Sequence, residues 1–313
     1  MDENSYDVVV IGGGAAGLSA ALVLSRARRR VLVVDAGEPR NALAAHMQGF
    51  LSRDGMPPAD LLEAGRREVV GYGGVTRQGT VAQVVRGGPG SFQVLLADGG
   101  RVAARRLLVT TGLRDELPEV PGLRDRWARD VLLCPYCHGW EVRDRQLGVL
   151  WNGPDSVRYA QTVRQWAADV VLFAPVDALT NADRAQLVAR AIGVVDGAVG
   201  RLVVEDDQLR WVELEDGRRV PRDVVFVPPT FVPQSDLLAA LGCELDPQGW
   251  VTTGPHGATS VAGVWVAGNV ANPRAQVITA AGEGSAAAIA INADLVEADV
   301  QDALRDFNQG WTP

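Results

Sequence analysis

The sequence predicts an α/β protein built of two nucleotide-type βαβ domains, the second inserted into the first. Three observations carry that prediction. The 313 residues are enough for two cores of ordinary size. The chain opens with an apolar strand that runs into a glycine turn and an Ala/Leu helix, DVVVIGGGAAGLSAALVLSRARRR. A second strand–turn–helix–strand pattern starts near Gln146, LGVLWNGPDSVRYAQTVRQWAADVVLFAP.

Taken in order, residues 7–11 (DVVVI) are a short strand, apolar on both faces. Residues 30–35 (RVLVVD) are a second strand and complete a βαβ unit that opens a parallel sheet. Residues 60–70 read as a helix, and residues 74–98 as several strands with turns at RGGPGS and ADGG. Residues 107–112 (LLVTTG) are another apolar strand, after which Val120-Pro121-Gly122 breaks the chain. A cysteine-bearing stretch follows, LCPYCHGWEV, and then the second βαβ unit with weaker strands continuing to residues 224–227. Beyond Pro228-Pro229 come an amphipathic piece, VAGVWVAGNV, and an Ala-rich helix, ITAAGEGSAAAIAINADLV.

Net charge is −8, with a sequence pI near 5.0, which argues against nucleic acid or an anionic membrane as the main partner. All 30 basic residues are arginine, so Schiff-base chemistry through lysine is excluded. No apolar run approaches the ~20 residues needed to span a bilayer. The start, MDENSYDVVVIGGG, lacks a basic segment followed by an apolar one, which predicts a cytoplasmic protein. In that compartment a cysteine pair is more often catalytic than structural.

The glycine loop has the form Gly12-x-Gly14-x-x-Gly17, between a strand and a helix. Asp35 follows 18 residues after Gly17, at the end of the second strand. This is the full context of a dinucleotide site. Gly12 allows the tight turn, Gly14 lets a pyrophosphate approach the backbone, and Gly17 lets helix and strand pack closely. The first helical N–H groups, from Ala15 and Ala16 onward, are then offered to phosphate, and Asp35 accepts from a ribose hydroxyl.

The stretch CPYCH fits three chemistries: haem attachment, half of a metal site, or a redox disulfide. Haem attachment requires export to an oxidising compartment, which the chain does not signal. A structural zinc site needs four ligands, and only Cys243, His46 and His256 remain, all scattered. Two cysteines at this spacing, at a helix start, can close a small ring, and the redox disulfide fits best.

GGGAAGLSAAL, the TTG of Thr110 to Gly112, and SVAGVWVAGN at Ser260 to Asn269 resemble, in order and over nearly the whole chain, the FAD elements of thioredoxin-reductase-like flavoproteins. The resemblance implies two Rossmann-like domains, with an FAD domain in two segments, residues 1–117 and 233–313. Residues 118–232 form an inserted NADPH-domain-like region that carries the CxxC. It implies FAD contacts from Gly12, Gly14, Ala15, Ala16, Gly17, Asp35, Ala36, Arg40, Asn41, Thr111, Gly112, Gly268, Asn269, Gln276 and Val277. Asn269 stands where the family usually has an aspartate, and its amide oxygen can still accept a hydrogen bond. By the same resemblance Cys137 lies nearer the isoalloxazine, Cys134 is the interchange thiol, and the protein is a homodimer. His138 departs from the aspartate of thioredoxin reductases. With an ordinary pKa of ~6.5, it is suited to take a proton from an incoming thiol.

In thioredoxin reductases the second βαβ unit binds NADPH through a glycine-rich loop and a basic cluster. Here the loop reads LWNGPDSV, with Trp151 in the first glycine position and Asn152 and Pro154 at other small positions. The basic cluster is replaced by VVLFAPVDALT, with Ala174, Pro175, Val176 and Thr180 in its place. CPYCHGWE and HMQGFLSRDGMPPADLL instead resemble the dithiol oxidases that close disulfides in natural products of the gliotoxin and holomycin type. That resemblance implies a small-molecule dithiol substrate, with electrons passing through Cys134 and Cys137 to flavin and then to O2, giving H2O2. The segment holding His46, Gly49 and Phe50 is a candidate pocket lining. A disulfide reductase fed by ferredoxin, NADPH or another reductant, and a non-catalytic flavin redox sensor, remain open alternatives.

Overall fold

The computed structural model describes residues 4–88 and 90–310. Pro89, inside the expected RGGPGS turn, lies outside the described residues, as does the side chain of Val176. The first part of the chain forms β1 (Ser5–Ile11), α1 (Ala15–Arg26), β2 (Val31–Asp35), α2 (Pro58–Gly71), β3 (Val75–Gln78), β4 (Val81–Arg86), β5 (Phe92–Leu96), β6 (Arg101–Val109) and β7 (Leu113–Glu116). The middle forms β8 (Val131–Leu132), α3 (Pro135–His138), β9 (Leu147–Leu150), α4 (Asp155–Val163), β10 (Val170–Phe173), α5 (Asn181–Ala189), β11 (Ile192–Val195), β12 (Val199–Glu205), β13 (Gln208–Leu214), β14 (Arg219–Pro221) and β15 (Val224–Phe226). The last part forms β16 (Thr230–Pro233), α6 (Asp236–Ala240), β17 (Val264–Val266) and α7 (Val277–Gly310). The chain divides into two compact units. One holds Met1–Ala42, Met56–Arg114 and Val232–Pro313, and the other holds Leu43–Gly55 and Asp115–Phe231.

In the first unit a seven-stranded sheet runs β3-β2-β1-β6-β5-β4, with β17 added beside β6. β6 is long enough to serve two partners on one edge. Its first residues pair antiparallel with β5, and Leu107 to Val109 pair in parallel with β17. Because β2, β1, β6 and β17 are parallel, the loops after all four gather at one end of the sheet. Strand alternation sorts the side chains into two cores. Val9, Ile11, Leu32, Val34, Leu107 and Val109 face Phe92, Val94 and Leu238 on one side. Val8, Val10, Val31, Val33 and Leu108 face α1 and α7 on the other, through Leu24, Ala287, Ala288, Ile291 and Leu295. The expected strand over residues 107–112 ends at Val109. Thr110 turns its hydroxyl back to the carbonyls of Gly12 (2.8 Å) and Ile11 (3.1 Å), and Gly112 takes a φ of 74°.

The second unit carries a five-stranded parallel sheet, β11-β10-β9-β15-β8, and an antiparallel three-stranded sheet, β12-β13-β14. Leu147, Val149, Leu172 and Phe226 pack on one face of the parallel sheet with Val157, Ala160 and Val163 of α4. Leu150, Phe173 and Val225 pack on the other face with Leu202, Leu209 and Val212 of the antiparallel sheet. Among the described residues, no helix is long and apolar enough to cross a membrane.

Candidate functional site

The glycine turn after β1 is built by contacts that exclude side chains. Gly12 has φ +109°, and a Cβ on it would lie 2.5 Å from the Thr110 carbonyl oxygen. A Cβ on Gly17 would lie 1.9 Å from the Gly12 oxygen, so strand and helix meet at backbone distance. At Gly14, the N-cap of α1, a Cβ would meet nothing within 4 Å. That open space, above the unpaired N–H groups of Ala15 and Ala16, is a cradle for a diphosphate. Asp35 accepts from the Gly13 N–H at 3.0 Å through Oδ1, which leaves Oδ2 for a ribose hydroxyl. Ala36 and Arg40 follow on the same loop and are exposed. Gly13 was not singled out in the sequence, although the run GGG is its signal: a Cβ there would lie 2.8 Å from the Asp35 side chain.

The loop after β17 closes the other side of this cleft. Gly268 has φ +75°, and a Cβ on it would lie 3.1 Å from that of Ala16. Asn269 accepts from Arg40 Nη1 at 3.2 Å, and its Nδ2 donates to the carbonyls of Asn272 (2.9 Å) and Ala275 (3.0 Å). Gln276 precedes Val277, the first residue of α7, and its carbonyl accepts from the Ala280 N–H at 2.8 Å. Thr111 is tied to Gln234 in both directions, hydroxyl to carbonyl and side-chain amide to carbonyl, each at 2.7 Å. Glu283, missed in the sequence, accepts from the Gly268 N–H (2.9 Å) and from Asn272 Nδ2 (2.7 Å). Its one legible signal is that it is the lone charge in the apolar run ITAAGEGSAAAIAI. Asn41 is half-buried on the loop after Arg40. These residues fit FAD: backbone donors for phosphates, the Asp35 carboxylate and the Asn269 amide oxygen as acceptors for sugar hydroxyls, and room at Gly14.

In the second unit Cys134 and Cys137 form a disulfide, with Cα atoms 5.2 Å apart. Cys134 caps α3, a single turn, and its carbonyl accepts from the N–H groups of Cys137 and His138, both at 3.1 Å. Tyr159 donates its hydroxyl to the Leu133 carbonyl and so fixes the residue before the pair. Burial pushes the Tyr159 phenol far above its ordinary value, so it stays a donor. Trp166 packs edge-on to Tyr136, with centroids 5.5 Å apart, and a Cβ on Gly139 would lie 2.7 Å from the Trp166 ring. Neither Tyr159 nor Trp166 was predicted, since each acts through a contact distant in sequence. His138 Nδ1 is buried with no hydrogen-bond partner. Desolvation by burial lowers the His138 pKa, against smaller raising effects of Glu141 and the Cys134 backbone. The imidazole is therefore neutral at physiological pH and able to accept a proton. His46 is exposed, with Nδ1 3.0 Å from the Gly55 carbonyl oxygen. Gly49 donates its N–H to Asp54 at 2.7 Å, and Phe50 accepts from the Arg53 N–H at 2.8 Å through its carbonyl.

The second nucleotide-type loop is tied down by its own side chains. Trp151 packs against the core of the parallel sheet. Asn152 donates to the Pro228 carbonyl at 2.7 Å, and its N–H is taken by the buried Ser156 hydroxyl at 2.9 Å. Asp155 adds a negative charge in the first turn of α4. After β10, Ala174 is buried, and Thr180 forms a capping box with Asp183 at the start of α5. Among the described residues no cluster of His, Cys, Asp and Glu could hold a metal ion.

Comparison with known proteins agrees with this geometry. Over 313 residues, covering 94% of this chain and 96% of the relative, the sequence is 30% identical to the protein named thioredoxin reductase sirT of Leptosphaeria maculans. It is 34% identical over 182 residues to a protein named probable thioredoxin reductase of Arthroderma benhamiae, a match that spans 55% of this chain and 44% of that protein. The crystal structure of HlmI is 55% identical and superposes with a TM-score of 0.95, over 99% of this chain and 98% of that one. The pattern describing the pyridine nucleotide-disulphide oxidoreductases matches residues 6–284. With its glycine turn, paired cysteines and matching pattern, the chain belongs to the pyridine nucleotide-disulphide oxidoreductase family and is a thioredoxin-reductase-like, FAD-dependent disulfide oxidoreductase.

Proposed function

We propose that the protein is a dithiol oxidase: it closes a disulfide in a small-molecule dithiol and passes the electrons to O2, giving H2O2. One observation carries the reading. The loop that would receive a nicotinamide dinucleotide carries Trp151, packed on the sheet core, in place of its first glycine and is locked by Asn152, Ser156 and the Pro228 carbonyl. Its helix start carries Asp155, which repels phosphate. Without a nicotinamide donor, electrons enter from a dithiol. The likeness to sirT, named a thioredoxin reductase, supports thiol–disulfide exchange as the chemistry.

The substrate thiolate attacks Cys134 Sγ, which breaks the Cys134–Cys137 bond and frees Cys137 as a thiolate. The second substrate thiolate attacks the substrate sulfur of the mixed disulfide, closing the product ring and freeing Cys134. Two electrons and two protons leave the substrate. His138 takes a proton from the incoming thiol, a task suited to an imidazole that burial keeps neutral. When bound, FAD supplies an acceptor for the electron pair of the reduced cysteines and an outlet to oxygen. Gly12, Gly14, Gly17, Asp35, Asn269 and the start of α7 would hold it. Tyr136, between the two cysteines, and Trp140, three residues after Cys137, are exposed at 68% and 66% and offer aromatic contact to the substrate. Arg143 stacks on the Trp140 ring at 4.1 Å and holds it in place.

The chain also acts as a homodimer in this reading. Every described side chain from Val300 to the end of α7 is exposed, and Ile289, Val296, Val300, Leu304 and Phe307 lie exposed along the helix. Such a stripe calls for a partner helix. The test is anaerobic. The oxidised holoprotein is mixed with excess NADPH or with dithiothreitol, and the visible flavin band is followed. Bleaching by the dithiol and peroxide on admitting air support the reading, whereas rapid bleaching by NADPH overturns it. Cys137→Ser keeps FAD bound but abolishes the dithiol-driven bleaching.

A further inference from the structure

We infer that Glu283 and Asn269 form a latch that holds residues 268–275 in the FAD-receptive shape, with Glu283 a positioning residue and Asn269 a neutral acceptor that no carboxylate can replace. The loop's polar groups form a closed circuit. Glu283 Oε2 accepts from Gly268 N–H (2.9 Å), and Oε1 accepts from Asn272 Nδ2 (2.7 Å). The Asn272 carbonyl in turn accepts from Asn269 Nδ2 at 2.9 Å, alongside those of Ala275 at 3.0 Å and Pro273 at 3.4 Å. Asn272 Oδ1 accepts from the Arg274 N–H at 3.2 Å, and the Asn272 N–H reaches the Gly268 carbonyl at 2.9 Å. Gly268 packs on Ala16, in the first turn of α1, so the circuit abuts the phosphate cradle.

This circuit fixes the direction of the Asn269 amide. Turned over, its oxygen would face three carbonyl oxygens and its NH2 would face the Arg40 guanidinium, two repulsions at once. The oxygen therefore points to the cleft side, where Arg40 Nη1 already donates to it. An aspartate would place a carboxylate oxygen among the three carbonyls. Arg40 would favour the charge, but it is exposed and screened, while the carbonyl cage is half-buried and at contact distance. The cage wins, and a carboxyl at 269 is held neutral or forced out of place.

The latch acts on cofactor retention, so it stands whichever way electrons flow. Its test is the rate at which holoprotein releases FAD, read as the rise of free-flavin fluorescence with no thiol present. Glu283→Gln leaves one donor facing an NH2 and is expected to release FAD about tenfold faster. Adding Asn272→Asp exchanges the polarity of that contact at constant net charge, and restores slow release. Asn269→Asp is expected to release FAD faster as pH rises from 5 to 8, where the native protein is flat, because its folded carboxyl pKa is raised. Unchanged release in Glu283→Gln overturns the inference. So does a double variant no slower than Glu283→Gln, or a Glu283→Gln apoprotein whose unfolding midpoint falls as far as the holoprotein's. Dithiol-driven bleaching, measured separately on FAD-saturated protein, reports on the oxidase reading alone.

Discussion

Gly284 of α7 sits directly on the backbone of Ala16 of α1: a Cβ at Gly284 would lie 2.0 Å from the Ala16 carbonyl oxygen. The two helices can cross this closely only because small residues line the crossing, with Ala16, Ala20, Ala287 and Ala288 buried around it. The helix whose start faces the diphosphate cradle is thereby held by the C-terminal segment, from the far end of the chain. Gly284→Ala is expected to destabilise the protein by about 1–3 kcal/mol, as an overpacked contact with no flexible neighbour to give way. It should also weaken FAD binding. Thermal unfolding and flavin retention on gel filtration check both, and a variant as stable as the native protein would show that the helices can slide apart at no cost.

The depressed pKa of His138 sets a pH dependence. Burial disfavours the imidazolium, so the group is a competent base above a folded pKa that lies below ~6.5. Thiol attack should therefore fall away only on the acid side of that value. His138→Ala should slow dithiol-driven flavin bleaching by about 10²-fold and remove the acid limb. A pH–rate profile of the same shape in the variant would remove the base role.

The exposed stripe at the end of α7 predicts the oligomeric state. Leu304→Glu combined with Phe307→Glu puts two charges on the apolar line between Val300 and the helix end. The pair is expected to convert a dimer to a monomer by light scattering, with the visible flavin spectrum intact because neither residue lies in a core cluster. A native protein that already runs as a monomer contradicts the assignment.

Asp299 ties α7 to the sheet. It accepts from Arg29 at 2.7 Å and Arg105 at 2.6 Å, and Arg105 also reaches Asp7 at 3.1 Å. The Arg29 hydrogen bond, with help from Arg105, holds the Asp299 carboxyl below its usual range. A depressed carboxylate contributes stability above its unfolded pKa of ~3.9 and loses it as pH falls through the folded value. Asp299→Asn should cost about 1 kcal/mol at pH 7, since the group is partly exposed, and less at pH 3, below the unfolded pKa. Unfolding midpoints at the two pH values decide it, and an equal loss at both would mean that charge plays no part.

The sequence by itself determined the elements whose signals are local. DVVVI reads as a strand buried on both faces because strand periodicity needs only five residues, and β1 is such a strand. The glycine spacing declared the turn, since Gly12 and Gly17 are required by steric contacts within the same βαβ unit. CPYCH declared a pair able to bond across one helical turn, and the second loop displays an indole, Trp151, where a nucleotide turn has its first glycine. What the tertiary structure alone decided lies between segments far apart in the chain. The end of β6 at Val109 is set by the Thr110 hydroxyl reaching back to Gly12. The anchoring of the cysteine stretch comes from Tyr159 on α4, and the buried, partnerless Nδ1 of His138 from packing that no spacing encodes. Glu283 is the clearest case: in the sequence it is one charge in an apolar helix, and only folding brings it to the Gly268 amide and the Asn272 side chain. Periodicity and steric turns are properties of neighbouring residues, so one chain displays them. A buried polar group acquires its role from the donors and acceptors that surround it, and those are chosen by the packing of distant elements.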